Sequence, residues 1–304
     1  MILVWGVRED PPILAVLAAL ERRKATAFFL DQNGGPATWF EPAPGDVLRG
    51  RLHSAGGSLE LARVTAAYLR PVATDHRLAD PGTGEAERWR AMSSEEALFC
   101  WADTTPARVV NRPEAMASNT SKPYQTALIH RAGFIVPETL VTTDVTALAD
   151  FHAHHGTLIY KSVSGVRSIV ARYDPADASR AGTLVTCPTQ FQRWISGTDV
   201  RVHVIGDAVF ACEVVSSAFD YRYPTCEAEQ PRITACTLPE AIAERCRRLA
   251  AAVGLAFAGI DLRRTAEGDW VCFEVNPSPG FTYYEAVTGD PISDALAALL
   301  AKTC

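Results

Sequence analysis

Two stretches in the last third of the chain decide the fold: Gly259-Ile260-Asp261-Leu262, and Val271-Cys272-Phe273-Glu274-Val275-Asn276-Pro277-Ser278-Pro279-Gly280. Both are mainly apolar and β-branched, and the turn-forming residues Glu267-Gly268-Asp269 lie between them. This pattern predicts two strands joined by a tight turn, which places them side by side in antiparallel pairing. Each strand nevertheless contains an acidic residue where a buried strand is normally apolar.

The acids of these strands form a candidate metal site. Side chains alternate along a strand, so Glu274 and Asn276 share one face, and an antiparallel neighbour brings Asp261 beside them. Two carboxylates and an amide oxygen are hard ligands that suit Mg²⁺ held together with substrate phosphates. The alternative is a strand end with solvated acids and a Pro/Gly turn. A short Glu-x-Asn motif alone favours that alternative, because such motifs often occur by chance.

Composition excludes several classes of function. At 304 residues the chain has room for two or three packed modules, and its 48% hydrophobic and 21% charged residues are ordinary for a soluble protein. The net charge of −6 argues against a general binder of nucleic acid or anionic membranes, and no apolar run approaches the roughly 20 residues of a membrane span. The eight cysteines are scattered, and the opening residues Met1–Gly6 contain no basic leader. We therefore expect a cytoplasmic protein without disulfides or structural zinc.

The first module, residues 1–117, is predicted to be a small α/β domain. Its strand and helix signals alternate over Ile2–Gly6, Pro11–Arg23, Thr26–Leu30 and Val64–Leu69. This rhythm favours a parallel sheet. Weaker strand signals occur around Thr38–Phe40 and Val47–Leu48. Arg70, at the end of the last strand, is a candidate for contacting a substrate carboxylate, with a solvated arginine as the alternative.

The second module, residues 118–188, contains two lysines that are placed to bind an anion. Lys122 lies at a helix start marked by small polar residues and a proline, where backbone amides and the helix dipole favour an anion, and Gly133 is the expected terminator. Lys161 ends a buried strand and precedes the loop Ser162–Ser168, whose amides can surround a phosphate although the loop has one glycine. A solvated surface lysine is the common alternative for either position.

A histidine cluster in the same module allows a metal interpretation. His152, His154 and His155 lie at a predicted helix end beside Gly156, without cysteine or acidic partners in the local sequence. A solvated helix end is therefore favoured over a ligand set.

The third module, residues 189–304, begins with a predicted β-hairpin. Along Asp199–Ile205 the valines take one face and Asp199, Arg201 and His203 take the other. That polar face is either exposed to water, as in an ordinary amphipathic hairpin, or lines a cleft. The irregular segment from Asp220 to about Pro231 is long enough to form a mobile lid.

Taken together, these residues resemble the ATP-grasp superfamily, most closely its RimK-type and glutathione-synthetase-like carboxylate–amine ligases. The matching elements, in chain order, are Ser121-Lys122, Gly133, Pro137, Lys161, Gln192-Arg193-Trp194-Ile195, Asp199-Val200-Arg201, Asp220-Tyr221-Arg222, Asp261, and Glu274 to Gly280. They run from about Ser118 to the C-terminus. The resemblance implies an α/β (α+β) ATP-grasp fold, in which the first module precedes a central lid module and a C-terminal module with the metal site.

The resemblance also implies the role of each site residue. Lys122 and Lys161 hold the ATP phosphates, while Arg201 and Arg222 face the γ-phosphate and an acyl phosphate. The remaining residues bind adenine (Gln192, Arg193, Trp194 and Ile195), the ribose (Asp199) and two Mg²⁺ ions, for which Mn²⁺ is a substitute (Asp261, Glu274 and Asn276).

The implied function is an ATP- and Mg²⁺-dependent ligase that activates a carboxylate as an acyl phosphate and couples it to an amine. The carboxylate and the amine belong to an amino acid, a small metabolite or a peptide, and the family commonly forms homodimers or homotetramers. A graspetide-like ligase that crosslinks peptide side chains is also compatible, since such relatives share the Asp-x-Arg element and a glycine-poor loop. The same fold could instead serve a non-catalytic ATP-binding protein or a phosphotransferase that acts on a hydroxyl.

Overall fold

The computed structural model describes residues 1–33, 39–43, 49–54, 56–72, 84–117, 121–163, 170–176, 186–216 and 230–302. The chain forms two compact units. The first contains Met1–Met116, Gly254–Phe257 and Ser278–Cys304, and the second contains Ala117–Val253 and Ala258–Pro277. The predicted division of the later chain into a lid module and a metal-site module stays a prediction.

The regular elements are as follows. The strands are β1 (Ile2–Gly6), β2 (Ala27–Asp31), β3 (Trp39–Ala43), β4 (Arg49–Ser54), β5 (Gly57–Glu60), β6 (Ala66–Arg70), β7 (Arg108–Val110), β8 (Thr139–Thr142), β9 (Leu158–Ser162), β10 (Ala171–Arg172), β11 (Thr189–Arg193), β12 (Thr198–Ile205), β13 (Ala208–Val215), β14 (Arg232–Cys236), β15 (Phe257–Arg264) and β16 (Trp270–Asn276). The α-helices are α1 (Pro11–Arg22), α2 (Glu85–Thr104), α3 (Pro113–Met116), α4 (Lys122–Arg131), α5 (Val145–His155), α6 (Glu240–Ala252), α7 (Thr282–Thr288) and α8 (Ile292–Ala301).

The first unit is built on a parallel sheet in the order β2-β1-β6-β7. Strand β1 is buried along its whole length, since neighbours flank it on both sides and apolar residues cover its faces. The α/β prediction for this module is confirmed. The strand signal at Trp39-Phe40 corresponds to β3 of a separate antiparallel sheet, β3-β4-β5, whereas Thr38, Val47 and Leu48 lie outside the described residues.

Arg70 ends β6 and is not solvated. Its Nε donates to Asp10 Oδ2 at 2.5 Å, its Nη1 donates to Ser278 Oγ at 2.9 Å, and its side chain is 17% exposed. The solvated alternative is therefore wrong. Arg70 anchors the turn at Ser278 to the carboxyl end of β6, and a role toward a substrate carboxylate stays a prediction.

The second unit contains two antiparallel sheets. One has the order β10-β9-β11-β8, and the other has the order β14-β13-β12-β15-β16. Helix α4 begins at Lys122, as predicted, and the chain leaves it through Gly133, which adopts the left-handed conformation with φ 88°. The predicted strand pair at the end of the chain is confirmed as the β15–β16 hairpin.

The histidine cluster lies at the predicted helix end. Helix α5 ends at His155, and Gly156 follows with φ 71°. Within the described ranges, no group of three or more His, Cys, Asp or Glu side chains could hold a metal ion; the preference for a solvated helix end over a ligand set stays a prediction. Nor does any helix of the described chain combine the length and the apolar character of a membrane span.

Candidate active site

The two acids of the final hairpin lie directly opposite each other. In the register of β15 and β16, Asp261 pairs with Glu274 and Gly259 pairs with Asn276. Residues that face each other across an antiparallel pair point to the same side of the sheet. The side chains of Asp261 and Glu274 are 28% and 22% exposed, so their oxygens remain accessible. The oxygens of these two acids and of the Asn276 amide are hard donors of the kind that Mg²⁺ prefers, so these three residues could hold that ion.

Helix α4 presents Lys122 to this pair of acids. Lys122 Nζ lies 4.0 Å from Glu274 Oε1, although the lysine side chain is only 6% exposed. The helix is fixed in place by Gln125, whose Nε2 donates to the Val275 carbonyl at 2.7 Å and whose Oε1 accepts from the Val275 amide at 3.0 Å. The Gln125 side chain thus makes the two backbone hydrogen bonds at Val275 that a neighbouring strand would otherwise make to β16. These bonds position the start of α4 against the acids.

Strand β12 supplies a second cation. Arg201 Nη1 donates to Asp261 Oδ1 at 2.6 Å, and the arginine side chain is 7% exposed. His203, on the same face of β12, is 1% exposed. The polar face of this hairpin is therefore buried, so the interpretation as an ordinary amphipathic hairpin with a water-exposed polar face is wrong.

Asp199 is held by an arginine that sequence reasoning did not single out. Arg263 on β15 donates from Nε to Asp199 Oδ1 at 2.8 Å and from Nη2 to Asp199 Oδ2 at 2.9 Å, while its Nη1 donates to the Ile195 carbonyl at 2.6 Å. The guanidinium also lies over the rings of Trp194 and Phe273, at 4.7 Å and 5.1 Å from their centroids. One side chain therefore connects the predicted adenine-binding segment, the predicted ribose acid and the metal-site hairpin.

The turn between Ile195 and β12 packs closely on the same strand. Gly197 has φ 154°, and a Cβ at this position would lie 2.3 Å from the Arg264 carbonyl oxygen and 2.9 Å from Arg263 Cγ. Only glycine fits such an approach, because the blocking atoms include backbone. The Ser196-Gly197 turn is therefore a packing requirement of the site.

The other sheet of the second unit carries Lys161 and Gln192. Lys161 on β9 pairs with Gln190 on β11, and Gln192 pairs with Thr139 on β8. Lys161 is 7% exposed and Gln192 is 2% exposed, so the solvated alternative for Lys161 is wrong. Gln192 Nε2 donates to Thr139 Oγ1 at 3.0 Å, which fixes the orientation of its side chain.

Backbone hydrogen bonds fix the predicted adenine-binding segment at its centre. The Arg193 amide donates to the Glu138 carbonyl at 3.0 Å, and the Trp194 amide donates to the Thr157 carbonyl at 2.9 Å. Together with the bond from Arg263 to the Ile195 carbonyl, these contacts hold the segment at its centre and at its C-terminal end. A preorganised backbone of this kind lowers the entropy cost of binding a nucleobase.

Three predicted parts of the site lie outside the described residues: Arg222, residues 164–169 of the loop after Lys161, and residues 217–229 of the irregular segment. Of the remaining candidates, Lys122, Arg201, Asp261 and Glu274 come together around the final hairpin.

Three buried charged or polar residues near this site were missed by sequence reasoning: Gln125, Arg263 and Gln190. An arginine two residues after Asp261 on the same strand is a weak signal of a shared face. Gln190 lies two residues before Gln192 on the same predicted strand, which is a similarly weak signal of a shared face. A polar residue in a strand that is otherwise expected to be buried points to a partner, because glutamine is seldom fully buried without one.

Comparison with known proteins places the chain in a family. The RimK-like ATP-grasp domain family matches residues 122–300, which is more than half of the chain. The protein therefore belongs to the RimK-like ATP-grasp family, and the resemblance inferred from its motifs is confirmed.

Individual relatives agree with this assignment. A probable alpha-L-glutamate ligase of Cellvibrio japonicus (strain Ueda107) is 31% identical over 112 residues, and the match covers 36% of this chain and 36% of that protein. The ATP-grasp ligase PsnB, solved with a phosphomimetic variant of its minimal precursor, Mg and ADP, is 30% identical; the match covers 98% of this chain and 97% of PsnB, with a TM-score of 0.77. The macrocyclase MdnC of Microcystis aeruginosa MRC, bound with precursor peptide MdnA, covers 99% of both chains at 20% identity and a TM-score of 0.84. This last likeness shows the fold alone, and it confirms the predicted fold class.

Proposed function

We propose that the protein is an ATP- and Mg²⁺-dependent ligase that activates a carboxylate as an acyl phosphate and joins it to an amine. The observation that carries the proposal is the convergence of two buried cations, Lys122 and Arg201, on the opposed acids Glu274 and Asp261. A site with matched acids and cations suits a metal–triphosphate complex, in which both signs of charge must be bound at once. Membership of the RimK-like ATP-grasp family supports the same reaction class.

The residues of this chain have distinct tasks in the proposed reaction. Asp261, Glu274 and Asn276 hold Mg²⁺, which when bound neutralises phosphate charge and polarises the phosphoryl group. Lys122 and Arg201 orient the γ-phosphoryl group, so that a carboxylate oxygen of the substrate attacks phosphorus and ADP leaves. Charge that develops on the phosphoryl oxygens is stabilised by the same two cations.

The second step forms the amide bond. The amine nitrogen attacks the carbonyl carbon of the acyl phosphate, the C–O bond to phosphate breaks, and inorganic phosphate leaves while the nitrogen loses a proton. The summed products are ADP, phosphate and an amide whose mass is lower by one water than the two substrates together. Arg222 is proposed to contact the departing phosphate, by resemblance to the family.

A peptide is the favoured source of the carboxylate. This preference is supported by PsnB, whose likeness to the chain extends over nearly its whole length and whose structure contains a precursor. The second ion, the use of Mn²⁺ and assembly into a homodimer or homotetramer are further parts of the proposal.

The proposal is tested by measuring ADP and phosphate release with ATP and Mg²⁺ across pools of amino acids and of peptides rich in Asp, Glu and Lys, followed by mass spectrometry. Release that depends on an added carboxylate, with a product lighter by one water, is the expected result. A stable phosphorylated product would instead indicate a phosphotransferase. Nucleotide binding without turnover in every pool, including peptides encoded near the gene, would indicate a non-catalytic binder.

A further inference from the structure

Gln190 is the most deeply buried polar side chain among the described residues of the sheet that carries Lys161. It is 1% exposed, and it lies on the face of β11 that also carries Gln192, since residues two apart on a strand point the same way. The opposite face of β11 packs Phe191 against Leu148 and Leu158. The glutamine face is therefore not the one that faces this hydrophobic core.

The side-chain oxygen of Gln190 has no hydrogen-bond partner among the described residues. The same holds for Oε1 of Gln192, although Nε2 of that residue is bonded to Thr139. A buried amide oxygen without a partner is costly, and an apolar residue would fill a central strand position without that cost. Two such oxygens on one face of one strand indicate a ligand that donates hydrogen bonds.

The neighbours of Gln190 identify the ligand, on the basis of the proposed function. Lys161 lies directly across the strand pair from Gln190, and Gln192 is the first residue of the predicted adenine-binding segment. The side-chain oxygen of Gln190 is an acceptor and needs a hydrogen-bond donor, so the phosphate oxygens of a nucleotide, which are themselves acceptors, cannot be its partner. ATP has donors only on the 6-amino group of adenine and on the ribose hydroxyls, and the ribose is assigned to Asp199 on the other sheet.

We propose that Gln190 contacts the nucleobase, with its side-chain oxygen accepting a hydrogen bond from the 6-amino group of adenine. Gln190 then contributes to discrimination against purines that lack this amino group. Because the side chain gains this bond only in the complex, it is a specificity residue for ATP and makes little contribution to the stability of the free protein.

The test pairs a protein change with a matched change in the ligand. Wild type, Gln190→Met and the control Val141→Ala, which alters an apolar neighbour of Gln190 on the same sheet face, are titrated calorimetrically with ATP and with purine riboside triphosphate in the presence of Mg²⁺. In purine riboside triphosphate a hydrogen replaces the 6-amino group. The side chain of Gln190→Met has a similar volume. This variant should bind ATP about tenfold more weakly than wild type, whereas its affinity for purine riboside triphosphate should change little, so the ratio of the two affinities should fall by about tenfold. Val141→Ala should keep the wild-type preference.

Two results would overturn this inference while leaving the proposed ligase intact: an unchanged preference in Gln190→Met, or an equal loss of affinity for both nucleotides. A wild-type protein that binds neither nucleotide would overturn the proposed function as well. Gln190→Leu, together with circular dichroism of all variants, separates loss of a ligand contact from failure to fold.

Discussion

Replacing Arg263 by lysine should weaken ATP binding, although the side chain at position 263 is not expected to touch the nucleotide. Arg263 makes two bonds to the Asp199 carboxylate and one to the Ile195 carbonyl, all between 2.6 and 2.9 Å. A lysine ammonium is a single point charge and cannot reproduce a planar fork that serves both partners. The predicted adenine-binding segment and the predicted ribose acid should therefore lose their common anchor.

The magnitude follows from the bonds that are lost. Hydrogen bonds to charged groups contribute about 1.5–3 kcal/mol each, and the side chains of Arg263 and Asp199 are 11% and 27% exposed, so solvent screens the pair less than a surface ion pair. If lysine keeps one bond of the three, the two lost bonds weaken the anchor by about 3–6 kcal/mol. Because these bonds also form in the free protein, only part of this, roughly 2 kcal/mol, should appear as a loss of ATP affinity, which is about 30-fold in Kd. In a double-mutant cycle with Asp199→Asn, most of this loss should appear as coupling between the two residues.

The adjacent residue provides a matched control. Arg264 pairs with Glu213 at 2.6 Å, but these side chains are 46% and 32% exposed, and exposed pairs contribute about 1 kcal/mol or less. Arg264→Lys should therefore change Kd less than about threefold. Calorimetric titration with a non-hydrolysable ATP analogue and Mg²⁺ measures both variants. Equal affinities for the two variants, or a coupling energy below about 0.5 kcal/mol, would refute the assignment of Arg263 as the anchor.

Three further changes have definite expected outcomes. Glu274→Gln should abolish nucleotide-dependent product formation while circular dichroism and the thermal midpoint stay close to wild type; unchanged activity would refute the metal assignment. Gly197→Ala should destabilise the protein by at least about 2 kcal/mol in urea unfolding, because its Cβ would meet the Arg264 carbonyl at 2.3 Å. Gly268, which has φ 92° but open space around it, provides the control. Gly268→Ala should lower the free energy of unfolding by only about 1 kcal/mol, so equal destabilisation by the two substitutions would contradict the packing argument. Burial raises the pKa of the Cys246 thiol to about 12 from a reference of 9.0, so the folded state keeps a proton that the unfolded state loses. The contribution of Cys246 to stability should therefore be complete below about pH 9, and ionisation of this thiol in the unfolded state should lower the stability by roughly 2 kcal/mol at about pH 10.5. The decline measured by urea unfolding should be smaller in Cys246→Ala; the same decline in both proteins would refute the linkage.

The hairpin that carries Asp261 and Glu274 was predictable because the sequence signals for it are local. Alternation along β16 and a glycine turn place Glu274 and Asp261 opposite each other, and the observed register agrees with this. The start of α4 at Lys122 was predictable for the same reason, since capping and proline signals lie within a few residues of the helix end. In both cases short-range patterns fix the backbone, and the backbone fixes the side chains.

The role of Arg263 was not predictable from local pattern. Its partner Asp199 is 64 residues away in sequence, and no periodicity relates two strands at that distance. The register also shifts between Asp261 and Leu262, so that Phe273 on β16 is left without a directly paired residue. A strand pattern assumes strict alternation, whereas this bulge changes which side chains meet near Phe273.

The charges of the site show why an acidic protein can bind an anionic nucleotide. The chain has a net charge of −6, which alone would repel ATP, yet each acid of the site faces a cation: Asp199 faces Arg263, Asp261 faces Arg201, and Glu274 faces Lys122. These pairs make the burial of the acids tolerable, because an unpaired buried charge is far more costly. On the proposed metal assignment, they would also set the order of events on binding. A divalent cation held by the carboxylates of Asp261 and Glu274 would weaken the attraction that holds Arg201 and Lys122 to those acids, and both cations would then become available to the phosphates of the nucleotide. The longer contact, 4.0 Å between Lys122 and Glu274, is the one we expect to exchange first.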